Sequence, residues 1–227
     1  MVELAHSSWF LGVYWGARKE DPASCARRFA RTIDRLKRVD AGLGRWAAVG
    51  RNRRPIAMDV ESLAALLHGG VNPTDFGGEV ISDIGFRAVL VSEAEPAVGL
   101  SVKCGGWSPW LPNTFILDLL PGHLLEPAIA RALLEAAVEE WEADSGLVAT
   151  ASLLDVTQPR EVGRARIGWL SYLRGLDAST ELPGATVEPL ADGALITLAP
   201  TAEEVDRKRV ESVAWALDEA GLLHSSG

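Results

Sequence analysis

The sequence predicts an α+β fold, a largely antiparallel sheet with helices packed against it, and three observations carry that expectation. Strand-like segments arrive in runs joined by short loops, a connection open to antiparallel strands and closed to parallel ones. Each helical segment has a single apolar stripe, so each has one side to bury. No linker-like shift in composition interrupts the chain, which reads as one domain over residues 1–227. A faint recurrence of strands followed by a helix offers a finer division into α+β halves, near 1–145 and 146–227.

The strands are clearest between Phe86 and Pro121. Residues 86–92 and 97–104 are β-branched and apolar, and Glu93-Ala-Glu-Pro96 between them makes a polar loop whose proline is unsuited to a central strand. A third strand, 114–120, follows the connection Gly105-Gly-Trp-Ser-Pro-Trp-Leu-Pro-Asn113. Two tryptophans, two prolines and two glycines in nine residues make that connection stiff and aromatic. Trp107 and Trp110 either cap the end of a sheet or stand exposed as anchors for a partner, and the sequence leaves both open.

In chain order, residues 7–16 read as a strand on aromatic and β-branched content. Asp21-Pro22 starts a helix, with Asp as cap and Pro in the first turn. Ala26, Phe29, Ile33 and Leu36 form its buried stripe, and Arg27, Arg31, Arg35 and Arg38 lie outside as a solvated face. Residues 43–49 suggest a helical turn, followed by the irregular basic segment 51–55. Asp59 caps a helix over 60–68, closed by Gly69-Gly70. Residues 71–85 are turn-rich. If 79–83 forms a helical turn, Asp75, Glu79 and Asp83 share one face.

Pro127 opens a helix to Asp144 with Ala130, Leu133, Leu134, Ala137, Val138 and Trp141 inside and Glu135, Glu139 and Glu142 outside. Residues 147–153 read as a strand, 167–173 fits strand or helix with its aromatics favouring strand, and 185–190 and 194–198 read as a hairpin turning through Asp192-Gly193. Thr201-Ala-Glu-Glu204 has the capping-box pattern for a last helix. Val210, Val213, Ala214 and Leu217 are its inner face, Gly221 ends it, and 222–227 reads as a frayed tail.

Composition excludes several classes of protein. With 48% hydrophobic and 23% charged residues, the chain can build a core and is not disordered. No apolar run approaches the ~20 residues of a membrane helix, and the N-terminus lacks the basic and apolar regions of a secretory signal. Cys25 and Cys104 are too few for a disulfide framework, which points to a reducing, cytoplasmic setting. Lys and Arg outnumber Asp and Glu twelve to five in residues 1–54, and are outnumbered ten to twenty-six afterwards. So acidic a majority disfavours nucleic acid and anionic membrane and favours a basic partner.

The search for chemistry returns negatives. Gly42-Leu-Gly-Arg-Trp-Ala47 fits a dinucleotide pattern but follows a helix instead of a strand, and Asp75-Phe-Gly77 lacks the other kinase motifs. His6, His68, His123 and His224 have no ligand-spaced partners, so neither a metal site nor a cofactor is expected. A small enzyme with a non-local site remains open, as does a nucleic-acid binder using the arginines from Arg27 to Arg54.

Four stretches carry a resemblance: Tyr14–Glu20, Gly77–Phe86, Ser101–Asn113 and Gly168–Arg174. Through them, over nearly its whole length, the chain resembles the immunity protein 52 family of bacterial polymorphic toxin systems. The resemblance implies an α+β protein that protects its producer by binding a cognate toxin. It also implies that this toxin is similar to nucleases of the restriction-endonuclease fold, and it implies no catalytic residues. On that footing Asp75, Glu79 and Asp83 are the expected steering acids and Trp107 and Trp110 the expected anchors. Two other acidic groupings compete, Glu93 with Glu95 and Glu135 with Glu139 and Glu142, and loops on a rigid scaffold are the better place for binding residues.

Overall fold

A computed structural model describes residues 9–49, 53–71, 81–119, 122–156 and 164–223. Its strands are β1 (Trp9–Trp15), β2 (Trp46–Ala48), β3 (Arg54–Ile56), β4 (Phe86–Ser92), β5 (Gly99–Cys104), β6 (Asn113–Leu119), β7 (Ser145–Thr150), β8 (Leu170–Arg174), β9 (Thr186–Leu190) and β10 (Gly193–Thr197). They form one ten-stranded sheet in the order β3-β2-β4-β5-β6-β1-β7-β8-β10-β9. Every neighbouring pair is antiparallel. The predicted class holds, and β4, β5 and β6 are the consecutive hairpin run that the sequence indicates. Each edge strand carries a proline, Pro55 in β3 and Pro189 in β9. A proline cannot donate to a further strand, which blunts both edges against pairing with another chain.

Three helices cover one face. α1 (Pro22–Val39) begins where Asp21 accepts a hydrogen bond from the Ser24 amide at 2.8 Å. It packs between α2 (Val60–Gly69), capped by Asp59, and α3 (Pro127–Trp141). Beneath them β1, β5, β6, β7 and β8 contribute Leu11, Val13, Val102, Phe115, Val148 and Tyr172 to the main core. Trp15 stacks on Trp141 with ring centroids 4.7 Å apart, fixing α3 over the centre of the sheet.

Directly opposed residues point to the same side of a sheet. Tracing register across the strands therefore defines the opposite face, along a row running Val89, Ser101, Ile116, Gly12, Leu147, Ser171 and Ile196. Over its far half lie α4 (Ala151–Val156) and α5 (Arg207–Glu219). Leu154 packs on Leu147 and Ala149, and Val210, Val213 and Leu217 pack on Leu173, Ala194 and Ile196. The half built from β4, β5 and β6 has no helix above it among the described residues, and Val89 there is 37% exposed.

Asp118 stands on that bare half, opposite Phe10 of β1. Partial desolvation pushes its carboxyl above the usual 3.8 even though the side chain keeps contact with solvent. A raised folded-state pKa makes the ionised group a destabilising one, and the penalty is absent below the unfolded value. Asp118→Asn is therefore expected to raise the thermal midpoint at pH 7, with the gain shrinking as pH falls and gone below 3.8. Thermal melts of both proteins across that range check it. An unchanged or lowered midpoint at pH 7 contradicts it.

Several local expectations are overturned by tertiary packing. Instead of a helical turn over 43–49, a 3-10 turn at Ala41–Gly44 leads into β2, because Trp46 is drawn into the core and its indole donates to the Leu43 carbonyl at 2.8 Å. Residues 54–56, read as irregular, pair with β2 as β3. The strand expected over 147–153 stops at Thr150, whose hydroxyl accepts from the Leu153 amide and turns the chain into α4. The hairpin turns at Ala191-Asp192, one residue early, with Ala191 at φ 48° and Gly193 already paired to Leu190.

The Thr201 box closes only a 3-10 turn, Ala202–Glu204, through its side chains, and α5 starts later with Asp206 as its cap. Of the supposed frayed tail, Leu223 is buried and its carbonyl accepts from the Ala165 amide at 2.8 Å, while 224–227 lies outside the described residues.

Candidate functional site

At one end of the sheet the C-terminal ends of β1, β5 and β8 meet the N-terminal ends of β4, β6, β7 and β10. The aromatic connection between β5 and β6 crosses this end, and a dense set of hydrogen bonds fixes it. Asn113, fully buried, accepts from the Gly106 amide at 2.9 Å and donates to the carbonyls of Gly106 at 3.0 Å and Gly16 at 2.7 Å. The Arg18 amide donates to the Gly106 carbonyl at 2.8 Å. The Asp83 carbonyl accepts from the amides of Trp107 at 2.9 Å and Ser108 at 3.0 Å. Gly85 and Gly105 have φ of 79° and 70°, and a Cβ on Gly85 would sit 2.3 Å from the Cys104 carbonyl. Only glycine permits that approach.

The scaffold holds three apolar side chains in solvent. Trp107 is 43%, Trp110 74% and Leu111 43% exposed. This decides the alternative left open by the sequence: the tryptophans do not cap the sheet. Lys19 sits 5.3 Å from the Trp107 ring centroid, a cation–π contact that orients the indole. Neither Lys19 nor Leu111 carried a signal in the sequence, since exposure follows from what packs above a loop. Asn113 carried none either, because its partners at Gly16 and Gly106 are set by the fold.

The predicted acids are distributed as follows. Asp83 lies in a 3-10 turn, Ser82–Ile84, directly beneath the Trp107 backbone, and its charge reaches Lys103. Asp75 and Glu79 fall outside the described residues. Glu93 and Glu95 belong to the β4–β5 loop, at the other end of the strands.

The faces of α1 and α3 expected to be solvated are partly so, but where the two helices lie side by side some of their charges pair. Arg31 binds Glu140 at 2.8 Å, Arg35 binds Glu139, and Arg28 and Arg18 converge on Glu142 at 2.9 and 3.1 Å. Glu135 is held within its own helix by Arg131 at 2.7 Å. The two helices pack side by side, which brings stripes of opposite sign together. Arg28 and Arg18 also donate to the carbonyls of Glu140 at 2.9 Å and Trp141 at 3.0 Å, meeting the negative end of α3. This network braces the base of the tryptophan loop and takes Glu139 and Glu142 out of contention as free steering charges.

A second network ties in β8. The Tyr172 hydroxyl donates to Asp192 at 2.7 Å, Arg174 bridges Asp192 at 3.0 Å and Asp144 at 2.9 Å, and Asp144 accepts from the Gly16 amide at 2.8 Å. The Tyr172 hydrogen bond, with Arg174 beside it, holds the Asp192 carboxyl below its ordinary range. The described residues of Tyr14–Glu20 and Gly77–Phe86, the connection within Ser101–Asn113 and the last residues of Gly168–Arg174 thus share this end of the sheet. Among the described residues no cluster of three or more His, Cys, Asp or Glu is placed to hold a metal. The result is an exposed aromatic loop on a hydrogen-bonded scaffold, flanked by paired charges.

Pseudomonas aeruginosa T6SS protein PA0821 shares the fold, at TM-score 0.50 and 14% identity, over 96% of this chain and 76% of that one. No curated protein matches the chain in sequence. The family described as Immunity protein 52 matches residues 7–227. With that match spanning nearly the whole length, the chain belongs to the immunity protein 52 family.

Proposed function

We propose that the chain, acting as a single domain, neutralises a cognate toxin by stoichiometric binding at the Trp107–Leu111 end of the sheet. The observation that carries this reading is the pair of exposed tryptophans with Leu111 on a loop whose backbone is anchored by Asn113 and Asp83. Preformed aromatic anchors bind without a large ordering cost, which is the usual character of a binding hot spot. We assign Asp75, Glu79 and Asp83 to steering the encounter. The toxin that fits is a nuclease, since nucleases carry basic surfaces for phosphate and this chain is strongly acidic beyond residue 54. Neutralising a nuclease requires the cytoplasm, where its substrate lies, and requires no catalysis by the immunity protein.

Titrating the purified protein into a nuclease assay of the toxin encoded beside it tests this. Inhibition is expected to saturate near one equivalent per toxin-binding site. Full protection at far below one equivalent would make the protein an enzyme that modifies the toxin. A toxin that is inhibited but cuts no nucleic acid removes the nuclease assignment alone.

A further inference from the structure

The half-covered face of the sheet and the outer side of α5 are left without a role by the tryptophan loop. We propose that they dock two copies of this chain onto each other, α5 of each copy lying across the bare β4–β5–β6 half of the other. The shape is reciprocal. On one face, half the sheet carries a helix layer roughly 10 Å thick and the other half carries none among the described residues. A two-fold axis parallel to the strands places each raised half over the other's recess, an isologous contact that closes on itself.

The chemistry of the two surfaces matches as well. The recess is a groove of about 280 Å³ lined by Val49, Val89, Val91 and Ile116, with the Asp118 carboxyl at one side and Val49 61% exposed. On α5 the outer face presents Trp215, 65% exposed, a large aromatic of the kind that fills such grooves. Arg87 and Lys103 stand directly opposite one another beside the recess, and neither has an ion pair among the described residues. Like charges in direct register destabilise a sheet, and the charge of Asp83 reaches only Lys103 of the two. Of the acids a turn either side of Trp215, Glu211 is paired with Arg207 at 3.5 Å, and Glu219 is exposed and has no ion pair among the described residues. A second copy supplies both the raised helix and the recess, and sets the unpaired Glu219 toward the exposed Arg87.

Equilibrium sedimentation of the full chain over a concentration series tests the proposal, with circular dichroism confirming the fold of each variant. The wild type is expected to self-associate reversibly as a dimer. Trp215→Glu and Val89→Glu should each weaken association by roughly 30-fold or more, the scale of a hot spot lost. Lys103→Glu serves as the recess variant if Val89→Glu misfolds. Mixing the helix variant with the recess variant should partly restore dimers, because each mixed pair keeps one of its two contacts intact. A wild type that stays monomeric across the series, a dimer untouched by both variants, or no recovery on mixing each overturns the proposal.

Discussion

Trp110→Ala is expected to speed dissociation from the cognate toxin by roughly 30-fold or more, a loss of about 2 kcal/mol or greater, while leaving the protein folded and its thermal midpoint nearly unchanged. The two halves of that result come from one number. At 74% exposed, the Trp110 indole contributes little to the core, so its removal stays within the ±0.5 kcal/mol typical of surface sites. Trp107→Ala should weaken binding similarly with a somewhat larger stability cost, since over half of that residue is covered and Lys19 lies against its ring. Trp141→Ala is the control. It removes a fully buried indole stacked on Trp15 and should cost about 3–5 kcal/mol of stability.

Reversing Asp75, Glu79 and Asp83 should act differently, slowing association and altering its salt dependence with little change in dissociation. Surface-immobilised toxin, read for both rate constants at two ionic strengths, separates these outcomes. If Trp107→Ala and Trp110→Ala both stay folded and leave both rates unchanged, the site lies elsewhere.

Asn113→Ala is expected to weaken toxin binding without touching the toxin, and to cost about 2–4 kcal/mol of stability. Its side chain is fully buried and makes three hydrogen bonds, so truncation orphans the buried Gly106 amide and removes the donor to the Gly16 carbonyl. At roughly 2–4 °C per kcal/mol for a domain of this size, the midpoint should fall by about 4–16 °C. Asn113→Asp should be no milder, despite its near-identical shape. One carboxylate oxygen can still accept from Gly106, but the other would face the carbonyls of Gly16 and Gly106 that the amide now donates to. Calorimetry alongside toxin binding at a temperature where every variant is folded checks both effects. A variant that loses stability but binds with wild-type kinetics would show that the loop needs no preorganisation.

The parts of this protein legible in the sequence are those whose cause lies within a few residues. Asp21-Pro22 and Asp59 start their helices because a cap acts on the amides two or three positions on. The stripe of Ala26, Phe29, Ile33 and Leu36, and the strand run from Phe86 to Leu119, follow from the 3.6 and 2.0 periodicities of the backbone. Where local signals competed with packing, packing won. Trp46 pulled its segment into β2, and the Thr201 box formed its side-chain contact without starting α5.

Most of the candidate site belongs to tertiary structure. That the arginines of α1 face the glutamates of α3, that Asn113 reaches Gly16 across 97 positions, and that Trp110 stands in solvent while Trp141 is buried are facts about which elements lie side by side. The sequence determined that two tryptophans would sit on a stiff loop beside acidic turns, because proline, glycine and charge act where they stand. Whether those tryptophans face water is decided by what packs over them, and no short-range property of the chain encodes that.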